Sequence, residues 1–134
     1  MKVVFWPYLA KAEMLERFAK HANIEIAMVD NAEALGTAIR DVEALVISQT
    51  TYDAKVAEVL RAHAKRLKFI QLMNAGYDGP LKHGVPPGVK VAKAGDAWSP
   101  ELAEHVMTLL LALQKCVPQI LANHAKHGWD RAFT

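Results

Sequence analysis

The residues best equipped for chemistry in this 134-residue chain lie in two short polar stretches, Ser48-Gln49-Thr50-Thr51-Tyr52 and Asn74-Ala75-Gly76-Tyr77-Asp78. A glycine such as Gly76 can bring its backbone N–H close to a ligand. Consecutive exposed N–H groups bind a carboxylate or phosphate without any charged side chain. The Ala75-Gly76 turn is therefore either an anion-binding loop or a tight structural turn. The polar groups from Ser48 to Tyr52 either line the same crevice, with Tyr52 among the substrate contacts, or cap the helix that follows.

Other reactive side chains point to less. His124 and His127 stand three apart on a predicted helix, yet no third ligand follows at a recognised spacing, so no metal is expected. His105, beside Glu104 on an apolar helix, reads as a packed, hydrogen-bonded histidine. Cys116, the single cysteine, reads as a small buried apolar side chain, since only Lys115 is placed by sequence to lower its pKa. Trp98 and Trp129 read as core or interface packing. None of the seven glycines opens a G-x-G-x-x-G or Walker A loop, so the chain has no dinucleotide fingerprint of its own. Trp6-Pro7-Tyr8-Leu9 stands where a flavin phosphate loop would need small hydroxyl or glycine residues. The strand ends Trp6-Pro7 and Ser48-Gln49 lack the aspartates of a phospho-acceptor receiver.

Short apolar runs alternate with longer segments of helical period, the signature of βαβ units that build a parallel sheet. The predicted strands are Lys2 to Trp6, Ile24 to Val29, Ala44 to Ser48, Lys68 to Met73 and Val89 to Ala92; the predicted helices between them are Leu9 to His21, Ala32 to Arg40 and Ala54 to Ala64. The fourth crossover is dense in turn formers and has room for little more than one helical turn. It follows a strand's carboxyl end, where open α/β sheets bind ligands. Ser99-Pro100 reads as an N-cap and first helical position, opening a helix that runs to about Cys116 and is kinked or ended by Pro118. Its stripe of Leu102, Val106, Leu109, Leu110, Leu113 and Val117 has Ala103, Met107 and Leu111 on neighbouring faces. A helix apolar nearly all round expects cover on all sides, hence a partner domain or subunit.

Leu67-Lys68-Phe69-Ile70-Gln71-Leu72-Met73-Asn74-Ala75-Gly76-Tyr77-Asp78, then Gly88-Val89-Lys90-Val91-Ala92, then Leu102-Ala103-Glu104-His105 before Leu109 to Leu113, resembles the D-isomer-specific 2-hydroxyacid dehydrogenases. Gly128-Trp129-Asp130 looks like that family's G-x-W element, just before its nucleotide domain. The resemblance implies a three-layer, flavodoxin-like substrate domain in which the N–H groups of Ala75 and Gly76 hold a substrate carboxylate; Tyr77 and Tyr52, from the two polar stretches, are further substrate-contact candidates. It also implies that Ala75, Ser99, Leu102 and Val106 border the NAD or NADP cleft of the complete enzyme. This chain departs from the pattern with Gly95-Asp96 where members often have Pro-Gly, and with Leu72 where some carry a substrate-binding arginine. The family's catalytic arginine, glutamate and histidine match no position here, so the chain alone is expected to be catalytically incompetent and to hold no cofactor.

Composition narrows the remaining classes. Hydrophobic residues make up 52% and charged residues 22% of the chain, which suits a folded globular domain rather than a disordered one. A net charge of +2 gives no electrostatic reason to propose nucleic acid or an anionic membrane. The most apolar stretch, interrupted by Glu104, His105 and Thr108, is too short to span a bilayer, and one cysteine without a targeting segment suits the cytoplasm. The expected organisation is an α/β domain with a parallel five-stranded sheet over 1–98, then a long apolar helix and linker over 99–134 leading to a nucleotide-binding domain. The expected ligand is a small 2-hydroxy or 2-keto acid. The expected self-association is a homodimer through Leu102 to Leu121. A free-standing binding or self-association module of the same fold is the competing reading.

Overall fold

The computed structural model describes residues 1–129, which leaves Asp130 of the tryptophan motif outside the described residues. The elements run β1 (Lys2–Phe5), α1 (Lys11–Ala19), β2 (Glu25–Met28), α2 (Ala32–Ala38), a 3-10 turn (Ile39–Asp41), β3 (Ala44–Ile47), α3 (Ala54–His63), β4 (Phe69–Leu72), α4 (Asp78–His83), β5 (Lys90–Ala92), α5 (Ser99–Gln114) and α6 (Val117–Ala125). They fall into two compact units, 1–95 and 96 onward.

All four strand pairings in the first unit are parallel, in the order β2-β1-β3-β4-β5, which is the flavodoxin-like doubly wound arrangement. Alternation along the strands splits the core between the two faces. On one, Val4, Leu45, Ile47, Ile70 and Leu72 pack with Leu35, Ile39, Val56 and Leu60 from α2, the 3-10 turn and α3. On the other, Val3, Phe5, Ala44 and Val46 meet Met14, Leu15 and Phe18 of α1. Phe5 and Phe18 touch edge to face with centroids 5.6 Å apart. Burial on both faces of β1 and β3 explains why those two runs are continuously apolar instead of alternating with polar residues.

The ladders end one or two residues inside the apolar runs. Trp6 still donates its N–H to Val46 at 2.9 Å, but Pro7 has none to give. Asn31 and Asp53 cap α2 and α3, each accepting an N–H at 2.8 Å from three residues ahead. Ser99 differs from its expected role. Its N–H closes a turn on the Asp96 carbonyl at 2.9 Å, and the Leu102 N–H bonds the Trp98 carbonyl, which puts Trp98 at the N-cap without a side-chain cap and makes Ser99 the first helical residue.

Within the second unit, α5 ends at Gln114, Cys116 adopts a left-handed φ of 50°, and α6 starts with Pro118 in its first turn. The two helices meet at a 61° bend, and only taken together do they reach the length and hydrophobicity of a membrane span; no single helix among the described residues does. Neither helix has a buried residue. His105 is exposed and Cys116 half-buried, so neither has the packed environment expected of it. Trp98 and Trp129 are exposed as well.

Candidate functional site

The register that pairs Val46 with Gln71 and Ile47 with Leu72 brings the carboxyl ends of β3 and β4 side by side. Two loops therefore leave the sheet together, Ser48 to Asp53 and Met73 to Tyr77. Met73 extends the ladder by donating to Ile47 at 3.0 Å, and the chain then turns away. The Asn74 side chain holds the two loops together. Its Oδ1 accepts from Ser48 Oγ at 2.7 Å and from the Gln49 N–H at 3.0 Å, while its own carbonyl accepts from the Ala94 N–H at 3.0 Å beyond β5. Ser48, fully buried, also shares a 2.7 Å hydrogen bond with Thr50 Oγ1. A buried hydroxyl with both roles filled makes a rigid corner.

Between Asn74 and the start of α4, the N–H groups of Ala75, Gly76 and Tyr77 find no acceptor among the described residues. Ala75 and Tyr77 are exposed and Gly76 is half-buried, so these donors face water. Backbone donors presented this way on a loop fixed at both ends form an anion-binding concavity whose attraction comes from oriented dipoles, not a full charge. The loop after β1, at the topological switch point, offers much less: Pro7 lacks a donor and the Trp6 N–H is spent on the sheet.

Tyr52 lies elsewhere than expected. It is 2% exposed within the α2/α3 core, and its hydroxyl donates to the Gly84 carbonyl at 2.8 Å. Gly84 takes a left-handed φ of 76°, which ends α4 and turns that carbonyl onto Tyr52. Arg61 holds the preceding carbonyl, that of His83, at 2.9 Å. Tyr52 thus supports the loop and α4 from below instead of lining the crevice. Burial pushes its phenol up from an ordinary 10.0 to about 12, with nearby Arg61 pulling it back and Tyr77 adding a little.

Gly79 is a feature the sequence reading passed over. A Cβ there would lie 2.5 Å from the Tyr52 carbonyl oxygen and 2.7 Å from that of Gln49, both backbone atoms that cannot swing aside. Only glycine lets α4 approach the β3 loop closely enough for the Gly79 N–H to reach Gln49 Oε1 at 3.3 Å. Asn74, Gln49 and Gly79 were visible only as turn formers or helix-capping polar residues; an asparagine directly after a strand, suited to binding neighbouring backbone, was the available signal.

Ser99, Leu102 and Val106 follow the i, i+3, i+7 spacing of one helical face in the first turns of α5, with Leu102 62% and Val106 53% exposed. No dinucleotide cradle occurs among the described residues: no glycine loop opens a helix after β1, and the donors at Ala75 to Tyr77 suit one small anion. The residues present therefore do not fit a complete NAD site. No group of three or more His, Cys, Asp or Glu side chains converges among the described residues.

A fold of this order, with its donor loop at the carboxyl edge of β4, defines a class, and comparison with known proteins narrows it. The family model for the D-isomer specific 2-hydroxyacid dehydrogenase catalytic domain matches residues 3–128. The chain belongs to that family. It is 32% identical over 109 residues to the D-3-phosphoglycerate dehydrogenase of Methanocaldococcus jannaschii, an alignment covering 81% of this chain and 20% of that protein. It is 31% identical over 113 residues to the enzyme of the same name from Mycobacterium bovis, covering 81% and 21%. The chain thus spans about a fifth of the length of the curated relatives it matches. Among solved structures, a D-isomer specific 2-hydroxyacid dehydrogenase family protein from Aeromonas salmonicida superposes with a TM-score of 0.74 at 21% identity, over 96% of this chain and 40% of that one. A D-lactate dehydrogenase from Aquifex aeolicus, complexed with NAD and lactic acid, superposes at 0.69 and 20% identity, over 100% and 40%. At these identities the structural likeness is one of fold.

Two substitutions test the packing beneath the loop. Gly79→Ala should cost about 2–3 kcal/mol of stability in urea denaturation, because the added methyl meets backbone oxygens. Tyr52→Phe should cost roughly 1 kcal/mol near pH 8 by leaving the Gly84 carbonyl without its donor. The phenol's folded-state pKa lies above its unfolded value, so its contribution is complete below about pH 10 and is lost as pH rises through about 12. The stability gap between wild type and Tyr52→Phe should therefore narrow from pH 8 to pH 11.

Proposed function

We propose that this chain supplies the substrate-carboxylate subsite of an NAD- or NADP-dependent D-2-hydroxyacid dehydrogenase or 2-ketoacid reductase. The observation that carries the reading is the pair of unpartnered N–H groups at Ala75 and Gly76, on a loop tied to β3 through Asn74. In this reading they grip one end of a small 2-hydroxy or 2-keto acid and hold its C2 carbon at a constant place. Tyr77 flanks the ligand, and Tyr52 acts from beneath as a support. In this reading Ala75 borders the nicotinamide cleft of the complete enzyme.

Orientation of a substrate by one loop is not catalysis. Hydride transfer also needs a positioned cofactor and a group to polarise the C2 oxygen, and nothing at this loop provides either. Isotope-labelled chain titrated with pyruvate or glyoxylate should show saturable amide shifts at Ala75, Gly76 and Tyr77, while the same preparation with NADH and either acid shows no turnover. Unchanged loop amides at saturating acid would refute the subsite, and robust NADH oxidation by the purified chain would refute its incompetence alone.

The second unit supports a partner reading. Leu102, Leu109, Leu110, Leu113, Ile120 and Leu121 are all half or more exposed along α5 and α6, and a contiguous apolar surface of this kind calls for a matching one. A two-fold homodimer through Leu102 to Leu121 covers it with the same residues from each chain. Sedimentation should give a dimer for wild type and a monomer for a Leu110→Glu, Leu113→Glu double variant; a monomeric wild type at high micromolar concentration would remove the proposal.

A further inference from the structure

Gln49, in the loop after β3, meets the donor loop through both its backbone and its side chain. Its backbone N–H donates to Asn74 Oδ1 at 3.0 Å and its Oε1 accepts from the Gly79 N–H at 3.3 Å. Its Cγ, Cδ and Nε2 lie 3.2–3.3 Å from the point a Cβ on Gly76 would occupy, so the carboxamide lies directly against the Gly76 turn. The Gly79 contact fixes which way the amide faces. Only the oxygen can accept that N–H, and the reversed amide would set donor against donor. Nε2 is therefore held on the Gly76 side. It has no acceptor among the described residues and is not fully enclosed, so it is open to solvent beside the loop.

We propose that Gln49 is a ligand-binding and specificity-determining residue of this site. Oε1 sets the position of the turn through Gly79, and Nε2 adds a side-chain donor to the carboxylate held by the Ala75 and Gly76 N–H groups. This rests on the carboxylate reading of the loop. It extends that reading by adding a neutral side-chain donor to the two backbone N–H groups that hold the carboxylate. Gln49 tunes the site because its one amide group both shapes the turn and touches the ligand.

The test titrates the labelled chain with oxamate, whose carboxyl is far more acidic than a glutamate side chain. The side-chain NH2 resonances of Gln49 should shift and saturate together with the Gly76 amide. Gln49→Glu keeps an oxygen for Gly79 but removes the donor, and it should weaken oxamate binding at least about tenfold at neutral pH. Affinity should recover as pH falls through the new carboxyl's titration, because protonation restores an O–H donor; the wild type should show no such recovery. Gln49→Met, uncharged and of similar length, should lose the affinity at every pH. The ionised carboxylate of Gln49→Glu also repels an anion, so its pH-dependent recovery supports the role only together with the moving Gln49 NH2 resonances of the wild type. A Gly76 amide that shifts while the Gln49 NH2 resonances stay still, or a Gln49→Met chain that binds as tightly as wild type, overturns the role of Gln49 and leaves the loop reading standing. If neither Gly76 nor Gln49 responds to the anion, both fall together.

Discussion

The parallel pairing of β3 with β4 is the constraint on which the rest of this structure depends. Both strands are central, β3 buried on both faces and β4 on one, and their register leaves no freedom in where their carboxyl ends emerge. A slip of one residue would turn Leu45, Ile47, Ile70 and Leu72 from one layer to the other. Everything at the site inherits that alignment. Asn74 can accept from Ser48 and Gln49 only because the last paired residues, Ile47 and Leu72, stand side by side.

From that junction the site is built by satisfying polar groups on one side and leaving them open on the other. Below the loop, Ser48, Asn74, Tyr52 and Arg61 are hydrogen-bonded to backbone or to each other, and Gly79 removes the only side chain that would hold α4 away. Above it, the N–H groups of Ala75 to Tyr77 are unused. A loop with a rigid underside and free donors on top is pre-organised: a bound carboxylate need not bring the ordering entropy with it. The stiffness of the buried tyrosine and the chemistry of the exposed loop are thus two sides of one arrangement.

Much of this was legible in order and spacing. The five strands fall within the apolar runs and the turn-dense crossover contains the short α4, because period and turn chemistry are local properties. The expectation for Tyr52 went astray because a tyrosine on a polar loop suits both a crevice and a core. Which one it takes depends on whether its hydroxyl finds a partner, and that partner, the Gly84 carbonyl, lies 32 residues away. The roles of Gln49 and Gly79 were hidden for the same reason, since each is defined by contact across about 30 residues. Ser99 missed its cap by one position because the first helical hydrogen bond, from the Leu102 N–H, goes to the Trp98 carbonyl.

By itself, then, the sequence determined the α/β class, the parallel sheet, the glycine turn after the fourth strand and the resemblance to one dehydrogenase family, since each is written in runs of neighbouring residues. Tertiary structure alone decided the sheet order, the staple at Asn74, the burial of Tyr52 and which donors stay unpaired. A hydrogen bond satisfies a group wherever its partner happens to arrive in space, and the chain's order does not state which strands will become neighbours until the core has packed.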